Sequence, residues 1–406
     1  MPTTTYAYKV RDRAGKIVQG TVEAESETAV VGRLRQMGLA PLLIEEHKDS
    51  LSKKELHLPW ANKVKPKDIA VMSRQFATMI NSGLSLLRAL NILAEQTDNS
   101  RLAGVLGAVR SDVEKGQSLS QALAKHPKVF SRLYVAMIKA GETGGVLDKT
   151  LLRMAETMEK EVALRHKIKS AMTYPVVVFG LVILIVSAML LFVVPMFKTL
   201  YGQLGGTLPL PTRVLIILSD LIKKAWFIWI PGSIGSVVGF RKWIQTEKGR
   251  AKWDAIKLKL PVFGVLVHKT ALSRYSRTLA ALFRSGVPIL QGLDIVKETV
   301  NNAVMADAVT EVQLSVKEGA SIAKPLESHA IFPPMVVQMM MVGEETGALD
   351  TMLEKIADFY DQEVDATVEA LTSLIEPLLI AVMGVAVGGM VVALYMPMFN
   401  IINLIK

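Results

Sequence analysis

The chain contains no cysteine among its 406 residues. This absence excludes disulfide bridges, thiolate metal sites and cysteine nucleophiles, and it leaves the redox compartment unreadable. Aromatic residues are also scarce, at 6%, and they do not alternate with basic residues as they do on a nucleic-acid-binding face. The net charge is +10, and the basic residues cluster beside apolar segments. This favours attraction to anionic lipid headgroups, so nucleic acid is not an expected partner.

Motifs for catalysis and cofactor binding are missing as well. The six histidines lack metal-ligand spacing, and we predict that His126 and His329 cap helix carbonyls. Residues 141–150 resemble a phosphate loop only superficially. A Walker A loop needs glycine before its lysine and a strand before the loop, whereas here Asp148 precedes the lysine and a predicted helix precedes the loop. We therefore expect no catalytic residue, no cofactor and no metal, and so not an enzyme.

The N-terminal segment differs from the rest of the chain. Its first fifteen residues carry no long apolar run, so we expect no cleavable signal peptide, and we expect the first domain to stay inside the cell until a span anchors it. Residues 1–46 alternate apolar and polar side chains around one helical stretch, which predicts a small α+β module. Residues 47–66 are polar, lysine-rich and contain proline, as is typical of a linker.

The most informative feature that is present is an internal duplication. Many residues between Arg74 and His126 recur 203 positions later, and many between Phe130 and Pro175 recur 202 positions later. Both copies close on Pro-Met-Phe, at 195–197 and 397–399. Chance does not keep one spacing over so many positions. The chain therefore consists of one polar domain and one membrane anchor, each used twice.

The fold class follows from helical periodicity within this duplication. From residue 67 onward apolar residues recur at helical spacing, as in Ile69, Met72 and Phe76. We predict a mainly α, polytopic membrane protein with two homologous cytoplasmic helical bundles, three transmembrane helices and the small N-terminal α+β module. The predicted segments are helical bundle 1 at 67–173, a first transmembrane helix at 174–197, an outer loop at 198–212, a second transmembrane helix at 213–242 with its core at 225–240, helical bundle 2 at 243–375, a third transmembrane helix at 376–399 and an outer tail at 400–406.

The membrane topology follows from the duplication too. The charge-free stretches 176–194 and 377–399 would each reach roughly 28–35 Å as helices, enough for a bilayer core. Homologous units should lie on one side and insert in one direction, which requires an odd number of return spans between them. The one candidate, 225–240, is only about 24 Å long if helical and contains Pro231. It is predicted to span on topology more than on hydropathy.

Basic residues fix the expected orientation. They are more numerous on the side of the helical bundles, for example at Arg165 and Lys167 before the first span and at Arg241 and Lys242 after the second. The positive-inside rule then places both bundles in the cytoplasm and the C-terminus outside. The inner flank of the third span is acidic, so the orientation depends on the first two spans.

One motif, Gly-Glu-x-(Gly/Thr)-Gly-x-Leu-Asp, occurs in both copies. We interpret it as a corner between two helices, in which glycines permit positive φ and an acidic residue suits the N-terminus of the next helix. Recognition of a partner by this corner is a compatible second role. The candidate corner residues are Gly141, Glu142, Gly145 and Asp148 in the first copy and Gly343, Glu344, Gly347 and Asp350 in the second.

A second set of candidates marks the ends of the spans. A helix reaching a span is predicted either to continue through the proline that opens it or to kink there. An ionisable residue at a membrane edge can be functional. Glu376 is such a residue. We prefer an interfacial or interhelical contact for it over a proton relay, because tyrosine takes the equivalent place in the first copy. These span-boundary residues are Pro175, Pro195, Glu376, Pro377 and Pro397.

Together these motifs resemble a known family. Each copy carries Ser-Gly-(Leu/Val), then the corner motif, then (Tyr/Glu)-Pro opening a span and Pro-Met-Phe closing it. This order and its duplication, over about residues 67–400, resemble the type II secretion F family, which includes inner-membrane platform proteins of type IV pili and type II secretion systems. The N-terminal module, with Tyr8, Gly15, Gly20 and Gly38, is similar to the leader domain of that family.

The resemblance implies a non-enzymatic, multi-pass inner-membrane platform for pilus or pseudopilus assembly. It implies as partners a hexameric assembly ATPase, prepilin or pseudopilin subunits, other inner-membrane assembly proteins, the lipid bilayer and further copies of the chain in a homo-oligomer. The competing class is a transporter or channel subunit built from parallel repeats, which would place its site at mid-membrane. A sensor or scaffold unrelated to pili is a third class. Neither pilus nor secretion system is favoured over the other.

Overall fold

The structure is a computed structural model that describes residues 4–11, 17–24, 27–36, 40–46, 63–203 and 209–404. The chain divides into two compact units, Met1–Lys63 and Val64–Lys406. Most of the predicted linker, residues 47–62, lies outside the described residues.

The N-terminal unit contains a three-stranded antiparallel sheet in the order β2-β1-β3 and one helix. Alternation of apolar and polar residues allows a strand to bury one face, and Tyr6 of the central strand is buried together with Val30 and Leu34 of the helix. The elements are β1 (Thr4–Arg11), β2 (Ile17–Ala24), α1 (Glu27–Gln36) and β3 (Ala40–Glu46).

The second unit is helical in its described residues, and the two copies give matching helices. The first copy has α2 (Pro66–Asn81), α3 (Leu86–Gln96), α4 (Ser100–Glu114), α5 (Leu119–Ala124), α6 (Arg132–Thr143) and α7 (Leu147–Ala188). Between the copies lie a π-helical turn (Met189–Val193), α8 (Val194–Gln203), α9 (Leu210–Gln245) and α10 (Glu247–Lys259). The second copy has α11 (Phe263–Arg284), α12 (Ile289–Thr299), α13 (Ala303–Lys317), a 3₁₀ turn (Lys324–Ser328), α14 (Pro334–Thr346) and α15 (Leu349–Leu404).

Equivalent residues begin and end equivalent helices. Asn99 caps α4 by accepting from the main-chain N–H groups of Arg101 and Leu102, and Asn302 caps α13 by accepting from that of Met305. An asparagine at this position satisfies N–H groups that have no partner within the helix. Gly83 and Gly286 end α2 and α11 with φ of 85° and 77°, a conformation that glycine adopts without steric cost.

One apolar core extends through both copies. In each copy the first helix packs along the last, α2 on α7 and α11 on α15. Leu90 and its counterpart Leu293, and Leu151 and its counterpart Leu353, are at most 1% exposed. Burying each leucine side chain contributes about 1.5–3 kcal/mol. The repeated sequence therefore specifies repeated packing.

The two long helices pass their prolines without a break. α7 continues through Pro175, and α15 continues through Pro377 and Pro397. Among the described residues, two helical stretches are long and apolar enough to cross a membrane, Leu147–Thr199 and Leu349–Met396. Helical structure therefore continues through these prolines. The predicted limits at 173/174 and 375/376 fall inside continuous helices.

The predicted outer loop at 198–212 overlaps the ends of two helices. α8 runs on to Gln203, and α9 begins at Leu210, because the polar residues at 198–203 do not stop a helix. Lys198 instead pairs with Asp220 of α9 at 2.7 Å. The predicted tail at 400–406 is likewise helical as far as Leu404.

α9 contains the predicted second span and is tied to both long helices. Ser219 donates its hydroxyl to the main-chain oxygen of Leu190 in the π-helical turn, and Thr212 donates to that of Ala393 in α15. Both hydroxyls are buried. Such bonds satisfy polar groups that would be costly to leave unpaired in an apolar setting.

Candidate functional site

The corner of each copy is a tight turn between two helices. In the first copy α6 ends at Thr143, Gly145 adopts a φ of 67°, and α7 begins at Leu147. In the second, Gly347 adopts a φ of 70° between α14 and α15. Positive φ at these two glycines lets the chain reverse within a few residues.

Gly141 and Gly343 serve a different purpose, and the explanation by positive φ is wrong for them. Both lie inside helices, where they face the start of the next helix. A Cβ on Gly141 would lie 2.6 Å from Oγ1 of Thr150, and a Cβ on Gly343 would lie 2.9 Å from Cα of Leu349. These glycines are required because the two helices approach too closely for any side chain.

Glu142 and Glu344 are held inside their own copies. Glu142 accepts hydrogen bonds from the main-chain N–H groups of Leu119 at 2.5 Å and Ser120 at 3.0 Å. Glu344 accepts from the N–H of Ile322 at 2.9 Å and from the hydroxyl of Ser321 at 2.6 Å. A carboxylate at a helix N-terminus satisfies unpaired N–H groups and the helix dipole. Each glutamate therefore fastens the start of α5, or of its 3₁₀ counterpart, to the corner.

The remaining corner and boundary residues divide into two groups. Asp148 and Asp350 lie in the first turns of α7 and α15, where a negative charge complements the helix dipole. Pro195 lies directly after the π-helical turn, inside the helical stretch that continues from α7 into α8. Glu376 is exposed and makes no hydrogen bond or ion pair within the part of the chain that the structure describes. The interfacial or interhelical contact that was preferred for it stays a prediction.

A row of ion pairs, which sequence reasoning missed, joins the two copies. Lys160 of α7 lies 3.2 Å from Asp358 of α15, and Lys167 of α7 lies 2.5 Å from Asp365 of α15. Each pair is separated by 198 positions. A constant separation means that α7 and α15 run parallel in one register. We name this row the inter-copy seam.

Related ion pairs fasten the first helix of each copy to its last. Arg74 binds Glu159 through two hydrogen bonds of 2.7 and 2.5 Å, and its counterpart Arg277 binds Asp361 and Asp358. The hydrogen bond from Arg74 lowers the pKa of Glu159. Burial alone would raise the pKa of Asp358, but hydrogen bonds from Lys160 and Arg277 outweigh burial and lower it. The arginines stood out in the repeat, but their partners were missed because glutamate in one copy matches aspartate in the other.

Metal and histidine chemistry have no evident place here. Within the described ranges, no cluster of three histidine or acidic residues could hold a metal ion. The prediction that His329 caps a helix carbonyl differs from the contact observed for Nε2 of its ring. This nitrogen lies 3.0 Å from a carboxylate oxygen of Glu311. The candidate site consists of closely packed glycines, turns held by carboxylates and a seam between parallel helices.

These features define a class, namely a membrane protein built from a duplicated helical module. Family models for type II secretion system protein F match residues 72–195 and 275–397, and the model for its N-terminal domain matches residues 1–45. The chain belongs to this family, which confirms the resemblance.

Relatives from both branches of the family align with nearly the whole chain. The type IV pilus assembly protein PilC of Thermus thermophilus is 46% identical, covering 98% of this chain and 98% of its own length. PilC of Myxococcus xanthus is 42% identical, covering 100% of this chain and 96% of its own length. The type II secretion system protein F of Pseudomonas aeruginosa is 34% identical, covering 98% of this chain and 99% of its own length.

Proposed function

We propose that the chain is an inner-membrane platform protein of a type IV pilus or type II secretion machine. It would couple a cytoplasmic assembly ATPase to the insertion of pilin or pseudopilin subunits into a fibre. The observation that carries the proposal is the unbroken course of α7 and α15 from a helical module into an apolar stretch. Because helical structure continues through Pro175 in α7 and through Pro377 in α15, movement of a module would be passed along the helix to its membrane segment.

The proposed topology has three spans, at 174–197, 213–242 and 376–399, with both bundles in the cytoplasm and the C-terminus outside. The inter-copy seam supports this topology: α7 and α15 run parallel, so both would enter a bilayer from one side. α9 is the proposed return span. Its 36 residues would reach about 54 Å, and its two hydroxyl bonds attach it to the other two helices.

The proposed partners are the hexameric ATPase, prepilin or pseudopilin subunits, other inner-membrane assembly proteins and further copies of the chain. The corners remain the first place to seek ATPase contacts. Because Glu142 and Glu344 hold turns of their own copies, the contact would fall on the exposed corner glycines, Gly145 and Gly347. A solute path is disfavoured, because the apolar stretch 176–194 contains no ionisable residue to serve as a transport site.

Helix continuity can be tested by inserting seven residues after Thr173 and again at the equivalent point after Ile375. One variant carries a helix-forming alanine-rich insert, which adds about two turns and rotates the helix by only about 20°. Its matched control carries a Gly-Ser insert of the same length, which behaves as a flexible chain. We expect the helical insert to retain part of the piliation or secretion and the flexible insert to abolish it, at equal protein level in the membrane. Assembly by the flexible variant would refute the coupling role.

A further inference from the structure

Besides the inter-copy seam, the two copies make a second contact that uses a different face of each. α6 of the first copy packs against α11 and α12 of the second. Arg132 of α6 pairs with Asp294 of α12 at 3.1 Å and also with Glu298. Arg153 of α7 donates to the main-chain oxygen of Arg284, the last residue of α11. We name the surface of α6 with Arg153 the head face, and the end of α11 with the start of α12 the tail face.

Each copy has both faces, but the chain uses only one of each. The unused head face is α14 with Lys355, and the unused tail face is the end of α2 with the start of α3. Burial reflects this difference. Ala136 of the used head face is 8% exposed and Val287 of the used tail face 5% exposed, whereas their counterparts Gln338 and Leu84 are exposed and partly exposed.

The unused faces keep the chemistry that a second contact needs. Val342 on α14 is 50% exposed and presents apolar surface to solvent. Leu87 on α3 is 40% exposed, about as much as its counterpart Leu290 on the used tail face at 37%, so it adds apolar area without marking the face as unused. Lys355 stands at the position of Arg153, and Asn81, the last residue of α2, stands at the position of Arg284. Lys355 is exposed and makes no hydrogen bond or ion pair among the residues described. It can therefore donate to the end of an α2 helix as Arg153 does to α11.

The ion pair of the internal contact is not repeated. Pro334 stands in the place of Arg132, and Asn91 stands in the place of Asp294. The unused head face is instead more apolar than the used one. Met341 stands at the position of Lys139, and Val342 stands at the position of Ala140. A contact between the unused faces would thus depend on apolar burial, which is the commoner source of affinity in assemblies of identical subunits.

We propose that the unused head face of one chain docks on the unused tail face of a second copy of the same chain. This contact would repeat the one that already joins the two modules. A head-to-tail contact closes into a ring when its rotation permits. Because α7 and α15 run parallel, such a rotation about the membrane normal would keep all chains inserted in one direction. The inference deepens the self-association within the proposed function.

The absence of cysteine makes the contact testable by cross-linking. Two differently tagged chains, one with Val342→Cys and the other with Arg88→Cys, are co-expressed and treated in membranes with a short bis-maleimide. The equivalent internal pair, Ala140 and Gln291, lines one groove between the copies, so the double variant A140C/Q291C should cross-link within one chain. As the matched control, Leu314→Cys on α13, 55% exposed, replaces Arg88→Cys.

We expect a dimer carrying both tags to form several-fold more from Val342→Cys with Arg88→Cys than from Val342→Cys with Leu314→Cys. Adding Leu87→Asp to the Arg88→Cys chain should reduce that band. The proposal is overturned if the two pairs give equal yields, if each variant cross-links only to itself, or if Val342→Cys is captured by the assembly ATPase instead. The readout is a covalent dimer and not piliation, so its failure would leave the platform role standing.

Discussion

In the first copy a fully buried tyrosine, Tyr134, lies on α6, whereas in the second a fully buried tyrosine, Tyr275, lies on α11. Each ring packs on the equivalent phenylalanine with centroids 5.1 Å apart, Tyr134 on Phe130 and Tyr275 on Phe332. The counterparts of the two tyrosines are Val336 and Met72. The same space is therefore filled from opposite helices, which shows that the two copies conserve volume rather than residue identity.

The exchange has a polar consequence. In the first copy Ser73 of α2 donates its hydroxyl to that of Tyr134 at 3.2 Å. In the second copy the equivalent Ser276 is fully buried, and its hydroxyl has no hydrogen-bond partner in the described structure, because Val336 replaces the tyrosine. An unpaired buried hydroxyl costs free energy. The second copy thus tolerates a defect that the first does not have.

The largest expected effect comes from exchanging the tyrosine within the first copy. Tyr134→Val should destabilise the purified chain by about 3–5 kcal/mol, because it leaves a cavity. Met72→Tyr alone should cost about 1–3 kcal/mol through overpacking. The double variant recreates the arrangement of the second copy, so its thermal midpoint in detergent should recover most of the loss. Additive losses would show that the two rings do not fill equivalent space.

The corner glycines should give the next largest effect. Gly141→Ala and Gly343→Ala should each destabilise the chain by about 1–3 kcal/mol, because the new Cβ forces two packed helices apart. The thermal midpoint of each purified variant measures this loss. Gly104→Ala is the matched control, since nothing lies within 4 Å of a Cβ at that helical position. A loss no greater than that of the control would contradict the close approach.

The paired serines should respond with different signs. Ser73→Ala should cost about 1 kcal/mol, because it removes a hydrogen bond and leaves the hydroxyl of Tyr134 unpaired. Ser276→Ala removes an unpaired hydroxyl and should be neutral or stabilising. Comparing the two midpoints in the same detergent sharpens the contrast between the copies. Equal losses would mean that Ser276 has a partner after all.

Alkaline stability should give the smallest of these effects. Burial raises the pKa of Tyr134 to about 12, although the hydrogen bond from Ser73 opposes this. A pKa raised in the folded state contributes stability that is complete below the unfolded value near 10, and that is lost as pH rises from there through about 12. The midpoint should therefore fall over this interval in the wild type, and less steeply in Tyr134→Phe. An identical fall in both would exclude this tyrosine as a source.

Sequence reasoning anticipated the parts of the fold that depend on local signals. The helical spacing of Ile69, Met72 and Phe76 is one such signal, and all three residues are buried on α2. The continuation through Pro175 was left open, since neighbouring helices decide whether a proline is tolerated.

Local sequence signals did not predict the tertiary contacts. Gly141 was read as a turn glycine because its contact with Thr150 depends on how closely two helices pack. The inter-copy seam, including Lys160 and Asp358, was missed because it joins positions far apart in the chain. The exchange of Tyr134 for Tyr275 was missed for the same reason: a repeat comparison aligns positions, whereas packing compensates between them.

The central claim is that two matching modules lie on one side of the membrane and are joined to parallel spans. Single cysteines at Leu87 and at its counterpart Leu290, which are 40% and 37% exposed, can be labelled with a membrane-impermeant maleimide because the chain has no cysteine of its own. A cysteine appended after Lys406 reports the proposed outer side. The account predicts that both module cysteines react in inverted vesicles and neither in spheroplasts, while the C-terminal cysteine behaves oppositely. Labelling of the two modules from opposite sides would contradict it.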